Sequence, residues 1–336
     1  MSFDSSQSAV VLGSGSWGTA LAMVLSEHFS KVTLIGRNIE QCAEINSFHT
    51  NANYLPRVEL PKNIVASIDY ADVADASLIL FVLPTSATRA AATKLATMGV
   101  AADIPLVSCS KGIERGSGIR MSEIISELLP NNPIAVHSGP THAEEVSAHL
   151  ASAAVVGCTN KVLAEDLQSV FTTSYFRTYT SDDVAGIELG GALKNVFAIA
   201  AGIISGIGLG DNAIAALVTR GLAEMTRLGI ALGGRPETFS GLSGIGDLMV
   251  TCYSPHSRNN RVGKALGSGE TLEEITERLG MVAEGVPNTL SIHEAARKHG
   301  IETPIIDAVY QILYEDKSAQ EALVDLLTRD LKPEMG

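Results

Sequence analysis

The chain has 336 residues, of which 46% are hydrophobic and 18% charged, a composition that fits an ordered globular protein with room for two domains. Its formal net charge of −13 argues against nucleic acid or an anionic membrane surface as the main partner. An anionic ligand would need a local cluster of Lys and Arg to offset that field.

The first eight residues are polar and lack a basic stretch followed by an apolar one, so no export signal is expected. Apolar runs at 9–12, 32–35, 78–83, 106–109, 134–137 and 153–156 read as strands. Helical patterns at 17–27, 86–98, 118–129 and 161–171 lie between most of them. Such alternation predicts right-handed crossovers in a largely parallel sheet, with 175–179 as one last strand.

The turn after the first run reads Gly13-Ser14-Gly15-Ser16-Trp17-Gly18, a G-x-G-x-x-G pattern between a strand and a helix. Gly13 permits the tight turn, Gly15 lets the backbone approach a pyrophosphate, and Gly18 lets the helix pack close to the strand. The second strand ends in Gly36-Arg37-Asn38. An acidic residue usually stands there to bind a ribose 2′-hydroxyl, whereas Arg37 suits a 2′-phosphate, so NADP(H) is the favoured cofactor and NAD the alternative.

Lys111, in Ser108-Cys109-Ser110-Lys111-Gly112, follows a strand at the edge where ligands of open α/β sheets bind. Ser138-Gly139-Pro140-Thr141-His142-Ala143 is a second strand-end loop of small residues. Thr141 there is a ligand donor, the cap of the next helix, or both; the early Glu144 and Glu145 suit that helix's dipole.

Beyond about residue 181 strand-like runs vanish, and helical patterns follow at 184–204, 213–232, 272–279, 287–298, 304–315 and from 319 onward. The fold class is therefore α/β plus all-α. A Rossmann-like dinucleotide domain (1–187) is expected to precede a helical substrate domain (188–336). The apolar stretch 196–210 is broken by Ser205 and four glycines and is shorter than the ~20 residues of a membrane span, so a buried helix is expected. Cys42, Cys109, Cys158 and Cys252 form no C-x-x-C pair and no metal-ligand spacing with histidine. They read as buried thiols of a reducing, cytoplasmic setting, and no metal site is expected.

Lys194 and Asn195 stand amid small and apolar residues in Gly190-Gly191-Ala192-Leu193-Lys194-Asn195-Val196. Desolvation there would bring the lysine toward the pKa of a general acid/base; the alternative is a lysine snorkelling at a helix edge. Asp247 lies in the glycine-rich bend 241–248 and reads as a substrate ligand, a partner of Lys194 or a helix cap. Ser257-Arg258-Asn259 begins an amphipathic helix with the chemistry of a phosphate site, the local positive cluster that an acidic chain needs. Glu284, before the helix at 287–298, is either a ligand to the cofactor or an exposed carboxylate.

Taken together, G-S-G-S-W-G-T-A-L-A, S-K-G-I-E, S-G-P-T-H-A-E-E, L-G-G-A-L-K-N-V, T-R-G-L-A-E-M, G-L-S-G-I-G-D-L, S-R-N-N-R and V-A-E-G-V resemble the bacterial NAD(P)-dependent glycerol-3-phosphate dehydrogenases almost end to end. The resemblance implies reversible reduction of dihydroxyacetone phosphate to sn-glycerol 3-phosphate for phospholipid synthesis. It implies that Ser16, Trp17, Arg37, Tyr54, Ala143, Val282 and Glu284 meet the dinucleotide, and that Lys111 and Arg258 serve both ligands. Gly139, Thr141, Asp247, Ser257 and Asn259 would complete the substrate site, with Lys194 as proton donor and acceptor. The chain departs from the family pattern at Phe197, Ser205 and Ile214, none of them assigned to chemistry. A homodimer is carried as an open expectation.

Two other readings compete. A β-hydroxyacid dehydrogenase also pairs a catalytic lysine with an asparagine on a helix of its second domain, but the Ser257-Arg258-Asn259 cluster favours a phosphorylated substrate. A dinucleotide-sensing regulator on the same fold would not need Lys194 among apolar residues.

Overall fold

Alternate residues of the first strand, β1 (Ser8–Leu12), enter different apolar cores: Ala9 and Val11 one, Val10 and Leu12 the other. Both faces of the sheet must therefore be covered, and helices cover them. The chain continues with α1 (Ser16–Ser26), β2 (Lys31–Ile35), α2 (Ile39–Phe48), a small antiparallel hairpin of β3 (Thr50–Asn51) and β4 (Leu55–Glu59), and β5 (Ile64–Ser67). Next come β6 (Ala76–Phe81), α3 (Thr85–Met98), β7 (Leu106–Ser108), α4 (Met121–Leu128), β8 (Ile134–Ser138), α5 (Ala143–Ser147), β9 (Ser152–Gly157), α6 (Lys161–Phe171) and β10 (Phe176–Ser181). The computed structural model describes residues 3–279, 283–331 and 333–334.

Eight strands form one sheet in the order β10-β9-β8-β7-β6-β1-β2-β5, and every pair is parallel except β8 with β9. The largely parallel sheet expected from the alternation is thus present. Several boundaries move. The sixth strand covers Ala76–Phe81 rather than 78–83, because Val82 and Leu83 already turn into the loop before α3. Helix α4 begins at Met121, not at 118, since Gly118 has φ +73 and Glu114 pairs instead with Ile119 in a turn. The hairpin strands and β5 are further strands beyond those the apolar runs predict.

Helices α1 and α6 fill one core with Leu21, Val24, Leu167 and Phe171, while α3 and α4 fill the other with Ala92, Leu95 and Ile125. Gly18 is essential to the first arrangement, because a Cβ there would lie 1.9 Å from the carbonyl oxygen of Gly13. Gly18→Ala is expected to lower the unfolding free energy by about 3 kcal/mol, the upper range for an overpacked site, read as a lower urea midpoint at unchanged slope.

The second half is helical: α7 (Val184–Ile207), α8 (Asp211–Ala231), α9 (Pro236–Phe239), α10 (Asp247–Tyr253), α11 (Arg258–Gly267), α12 (Leu272–Leu279), α13 (Gly285–Lys298), α14 (Pro304–Tyr314) and α15 (Ala319–Leu327). Helix α7 has 24 residues, long and apolar enough to cross a membrane by composition, yet 94% of its most apolar window is buried inside the molecule. It is the central helix of a globular core. Two of the glycines in its apolar run, Gly202 and Gly206, have a packing reason. A Cβ at Gly202 would lie 2.1 Å from Asn260 O, and one at Gly263 would lie 2.0 Å from Ile199 O. Backbone therefore meets backbone between α7 and α11, which draws the start of α11 toward the middle of α7.

Phe197 is fully buried against Gly221 of α8, where a Cβ would come 2.9 Å from its ring, so the large side chain fits a matching gap. Ser205 donates back to the carbonyl of Ala201 at 3.0 Å, and Ile214 is buried in the same helical core. Helix α7 is fastened to the sheet domain by Glu188, a buried carboxylate. It accepts from the Ser122 amide at 2.8 Å, the Ser122 hydroxyl at 2.5 Å and Arg120 at 3.3 Å.

Candidate active site

The glycine turn follows β1 directly. Gly13 has φ +115, a conformation that favours glycine, and Gly15 is the N-cap of α1 with no side chain capping the helix. A Cβ at Gly15 would come into ordinary contact with the Tyr54 ring at 3.9 Å, so Tyr54 lies directly over the start of α1. Ser16 donates its hydroxyl to Tyr54 O at 3.0 Å, which ties the β3–β4 hairpin to this turn. A groove of about 230 Å³ lies beside it, lined by Asn38, Gln41, Asn53 and Tyr54. Arg37, exposed at the end of β2, adjoins that groove through Asn38. The Trp17 indole turns inward instead and packs on His137 at 6.0 Å. Ala143 is buried at the start of α5.

Two lysines distant in sequence meet at one carboxylate. Asp247, 1% exposed, receives an ion pair from Lys111 Nζ at 2.7 Å and a second from Lys194 Nζ. Lys194 also donates to the Thr251 hydroxyl at 2.7 Å, and Thr251 donates in turn to the Asp247 carbonyl at 2.6 Å. Lys111 donates further to Gly139 O at 3.2 Å, and Thr141 donates to the same carbonyl at 3.2 Å. The local structure explains the meeting. Residues Leu242–Gly246 make a wide helical turn closed by a bond from Gly246 N to Gly241 O. Gly190 of α7 lets that turn lie flat on it, because a Cβ there would be 2.4 Å from Ser243 O. Asp247 is then delivered beside Lys194.

Burial pushes the Lys194 ammonium down to about 7, with Asp247 opposing and Lys111 reinforcing the fall. Burial alone would raise Asp247, but Lys111 and Lys194 outweigh it and hold the carboxyl below its usual range. Lys194 is 6% exposed, so the snorkelling alternative is replaced by a buried, paired amine. The capping alternatives fall as well. His142, not Thr141, is the N-cap of α5, and Asp247 lies inside the first turn of α10 rather than capping it.

Ser257 caps α11, accepting from Asn260 N at 3.2 Å, while Arg258 is exposed at its first position. Asn259 is buried and has both amide groups engaged, accepting from Gly285 N at 3.0 Å and donating to Asn195 Oδ1 at 2.9 Å. Glu284 is half-buried rather than exposed. Burial pushes its carboxyl up to about 7, against the pull of Arg258 and Lys111. Val282 lies outside the described residues. Three residues escaped the sequence reading: Thr251, the pairing role of Asn195, and Asn288. Thr251 stands one helical turn after Asp247 and Asn288 one turn after Glu284, so the i, i+4 spacing was the available signal.

A Rossmann-type sheet whose carboxyl edge faces a helical domain with a buried lysine is the build of a two-domain, dinucleotide-dependent dehydrogenase. The comparisons with known proteins narrow the class. Residues 8–164 match the family model described as the NAD-dependent glycerol-3-phosphate dehydrogenase N-terminus, and residues 183–324 match the corresponding C-terminus. The glycerol-3-phosphate dehydrogenase [NAD(P)+] of Enterococcus faecalis is 47% identical over 98% of this chain and 97% of its own length. The same enzyme of Lysinibacillus sphaericus is 48% identical over 97% of each. The crystal structure of glycerol-3-phosphate dehydrogenase from Coxiella burnetii superposes with a TM-score of 0.92 at 39% identity, covering 96% of this chain and 99% of the other. The chain belongs to the NAD-dependent glycerol-3-phosphate dehydrogenase family.

Proposed function

We infer that the protein catalyses the reversible reduction of dihydroxyacetone phosphate to sn-glycerol 3-phosphate with NADPH or NADH, supplying the backbone of glycerophospholipids. The family supports the reaction, and the observation that carries the assignment of residues is the Lys111–Asp247–Lys194 cluster at the carboxyl edge of the sheet. Residues 1–187 form the dinucleotide unit in this reading, and 188–336 the substrate unit.

The residues of the glycine turn fit a dinucleotide: a helix start with no side-chain cap, whose N-terminus favours a pyrophosphate. Gly13, Gly15, Ser16, Trp17 and Gly18 would hold the phosphates through backbone. Arg37 and Tyr54 would hold the adenosine end, with Ala143 and Glu284 closing around the remainder. The bound nicotinamide supplies the hydride for the substrate carbonyl carbon.

The chain supplies the proton. Lys194 Nζ in its ammonium form donates to the carbonyl oxygen as negative charge develops there, and in the reverse direction the neutral amine takes the hydroxyl proton. Asp247 and Thr251 fix the direction of Nζ, which costs nothing further at the moment of transfer. Arg258 and the backbone amide of Asn259, at the start of α11, would hold the phosphate; Ser257 would shape that start as its cap. Lys111, Gly139 and Thr141 would line the sheet side of the substrate.

The test is an assay of dihydroxyacetone phosphate reduction followed by loss of reduced-nicotinamide absorbance. Turnover with a non-phosphorylated hydroxyacid in its place would favour the β-hydroxyacid dehydrogenases, and no turnover at all would favour a regulator. Arg37→Asp is expected to weaken NADPH binding about tenfold more than NADH binding, because one charge-assisted contact to the 2′-phosphate is lost. Equal losses for the two cofactors, measured by fluorescence titration, would contradict the assignment of Arg37. The four cysteines, buried and unbridged, suit a reducing cytoplasm, and the homodimer is to be tested by sedimentation.

A further inference from the structure

The four elements that surround the lysine–carboxylate cluster are joined by a chain of amide hydrogen bonds that the proposed reaction does not itself use. Gly285 N donates to Asn259 Oδ1 at 3.0 Å, Asn259 Nδ2 donates to Asn195 Oδ1 at 2.9 Å, and Asn195 Nδ2 donates to Lys111 O at 3.4 Å. A second donor, Asn288 Nδ2, reaches the same Lys111 carbonyl at the shorter distance of 2.9 Å. The direction of the chain is set by its ends. A backbone N–H can only donate and a carbonyl can only accept, so each side-chain amide has one permitted orientation.

Each link stands at or beside a residue of the site: Lys111 itself, Asn195 next to Lys194, Asn259 next to Arg258, and Gly285 next to Glu284. Asn288 is 1% exposed and lies one helical turn from Glu284 on α13, so it brings that helix onto the sheet-side loop. Gly112 makes the approach possible, since a Cβ there would stand 2.5 Å from both Asn288 Oδ1 and Thr85 Cγ2. Two amide donors on a single carbonyl, one of them across 177 positions of sequence, is more than is needed to satisfy a loop.

We propose that Asn288 is a positioning residue for the reaction: by holding the Lys111 carbonyl it fixes where the Lys111 ammonium meets Asp247, and it joins that lysine to the Glu284 end of α13. The proposal rests on the site reading above, in which Lys111 takes part in turnover. Its physical content is that Lys111 reaches Asp247 along a flexible four-carbon stem, so the ammonium is only as well placed as its backbone. Releasing the carbonyl lets Nζ drift from Asp247. Asp247 then serves Lys194 alone, and the repulsion that Lys111 exerts on the Lys194 ammonium weakens.

The test uses Asn288→Leu, which keeps the side chain's shape and removes its donor, with Asn288→Ala as a second variant should leucine not fold. Lys111→Met and the Asn288→Leu/Lys111→Met double variant complete the cycle. Asn288→Leu is expected to lower kcat by about tenfold, the scale of one buried hydrogen bond, and to raise KM less. The pH at which glycerol 3-phosphate oxidation reaches half its maximum should move up, because Lys194 loses a nearby positive charge. In the Lys111→Met background the leucine substitution should cost almost nothing more. A fall in thermal midpoint with kcat, KM and pH profile unchanged would make Asn288 a packing residue and overturn the proposal. Additive losses in the double variant would do the same. Full activity of Lys111→Met would overturn the site reading of that lysine, and the proposal with it.

Discussion

Lys194→Met is expected to lower kcat by about a thousandfold in both directions while leaving the dissociation constant for the dinucleotide almost unchanged. The magnitude is that of removing a positioned general acid/base together with its charge at the reacting oxygen. Methionine is the informative replacement because Lys194 is buried in the helical core: an apolar chain of similar length fills the space, and Asp247 keeps Lys111 as its partner. A loss of turnover therefore cannot be assigned to a cavity or to an orphaned carboxylate. The glycine turn and Arg37 lie on other elements, so dinucleotide binding is spared. Near-normal kcat would show that another group carries the proton.

The same lysine sets the pH dependence. With its pKa brought to about 7 by burial, the neutral amine that takes a hydroxyl proton becomes the major form above that pH. Oxidation of glycerol 3-phosphate is expected to rise through pH 7, and reduction of dihydroxyacetone phosphate to decline above it. The limb should vanish in Lys194→Met.

What could be read from the residues alone was what local geometry dictates. The G-x-G-x-x-G turn needs one strand and one helix, and it was legible because Gly13, Gly15 and Gly18 do their work within six positions of one another. Lys194 was legible for a related reason: a charge inside an apolar helical stretch is costly enough to need a cause. The Lys111–Asp247 pair was not legible, being 136 positions apart and dependent on Gly190 letting the wide turn lie on α7. Residue type alone allows Thr141 and Asp247 to be helix caps; Thr141 turns locally to Gly139 O instead, and Asp247 is taken by two lysines distant in sequence. Strand β4 (Leu55–Glu59) was missed because it carries proline and charge on an exposed hairpin, where propensity says little and pairing with β3 says everything. Gly202 and Gly206 of α7 look like interruptions of a helix in sequence, and are intelligible only with α11 lying against them.

Asp247→Asn should show how far one carboxylate holds the site together. The change keeps the shape and removes the charge that two ammonium groups share. Because Asp247 is what opposes the fall of the Lys194 pKa, that pKa should drop further below 7, and the rising limb of glycerol 3-phosphate oxidation should move to lower pH. Turnover is expected to fall about a hundredfold, since Lys194 loses its fixed direction and Lys111 its anchor. Stability should suffer too, by about 3 kcal/mol, the lower range for breaking a buried ion pair. The loss has a definite pH sense. An unfolded lysine stays protonated to about pH 10.4, so the native protein binds fewer protons than the unfolded chain between 7 and that value, and the burden of burying Lys194 is lifted as pH rises through the window. In the variant the native pKa lies lower, so this term separates the two proteins only below about pH 7. Urea unfolding should therefore show a larger deficit at about pH 6 than at about pH 8. An equal deficit at both would mean that Asp247 stabilises the fold through its contacts to Thr251 and α10 and not through the charge of Lys194.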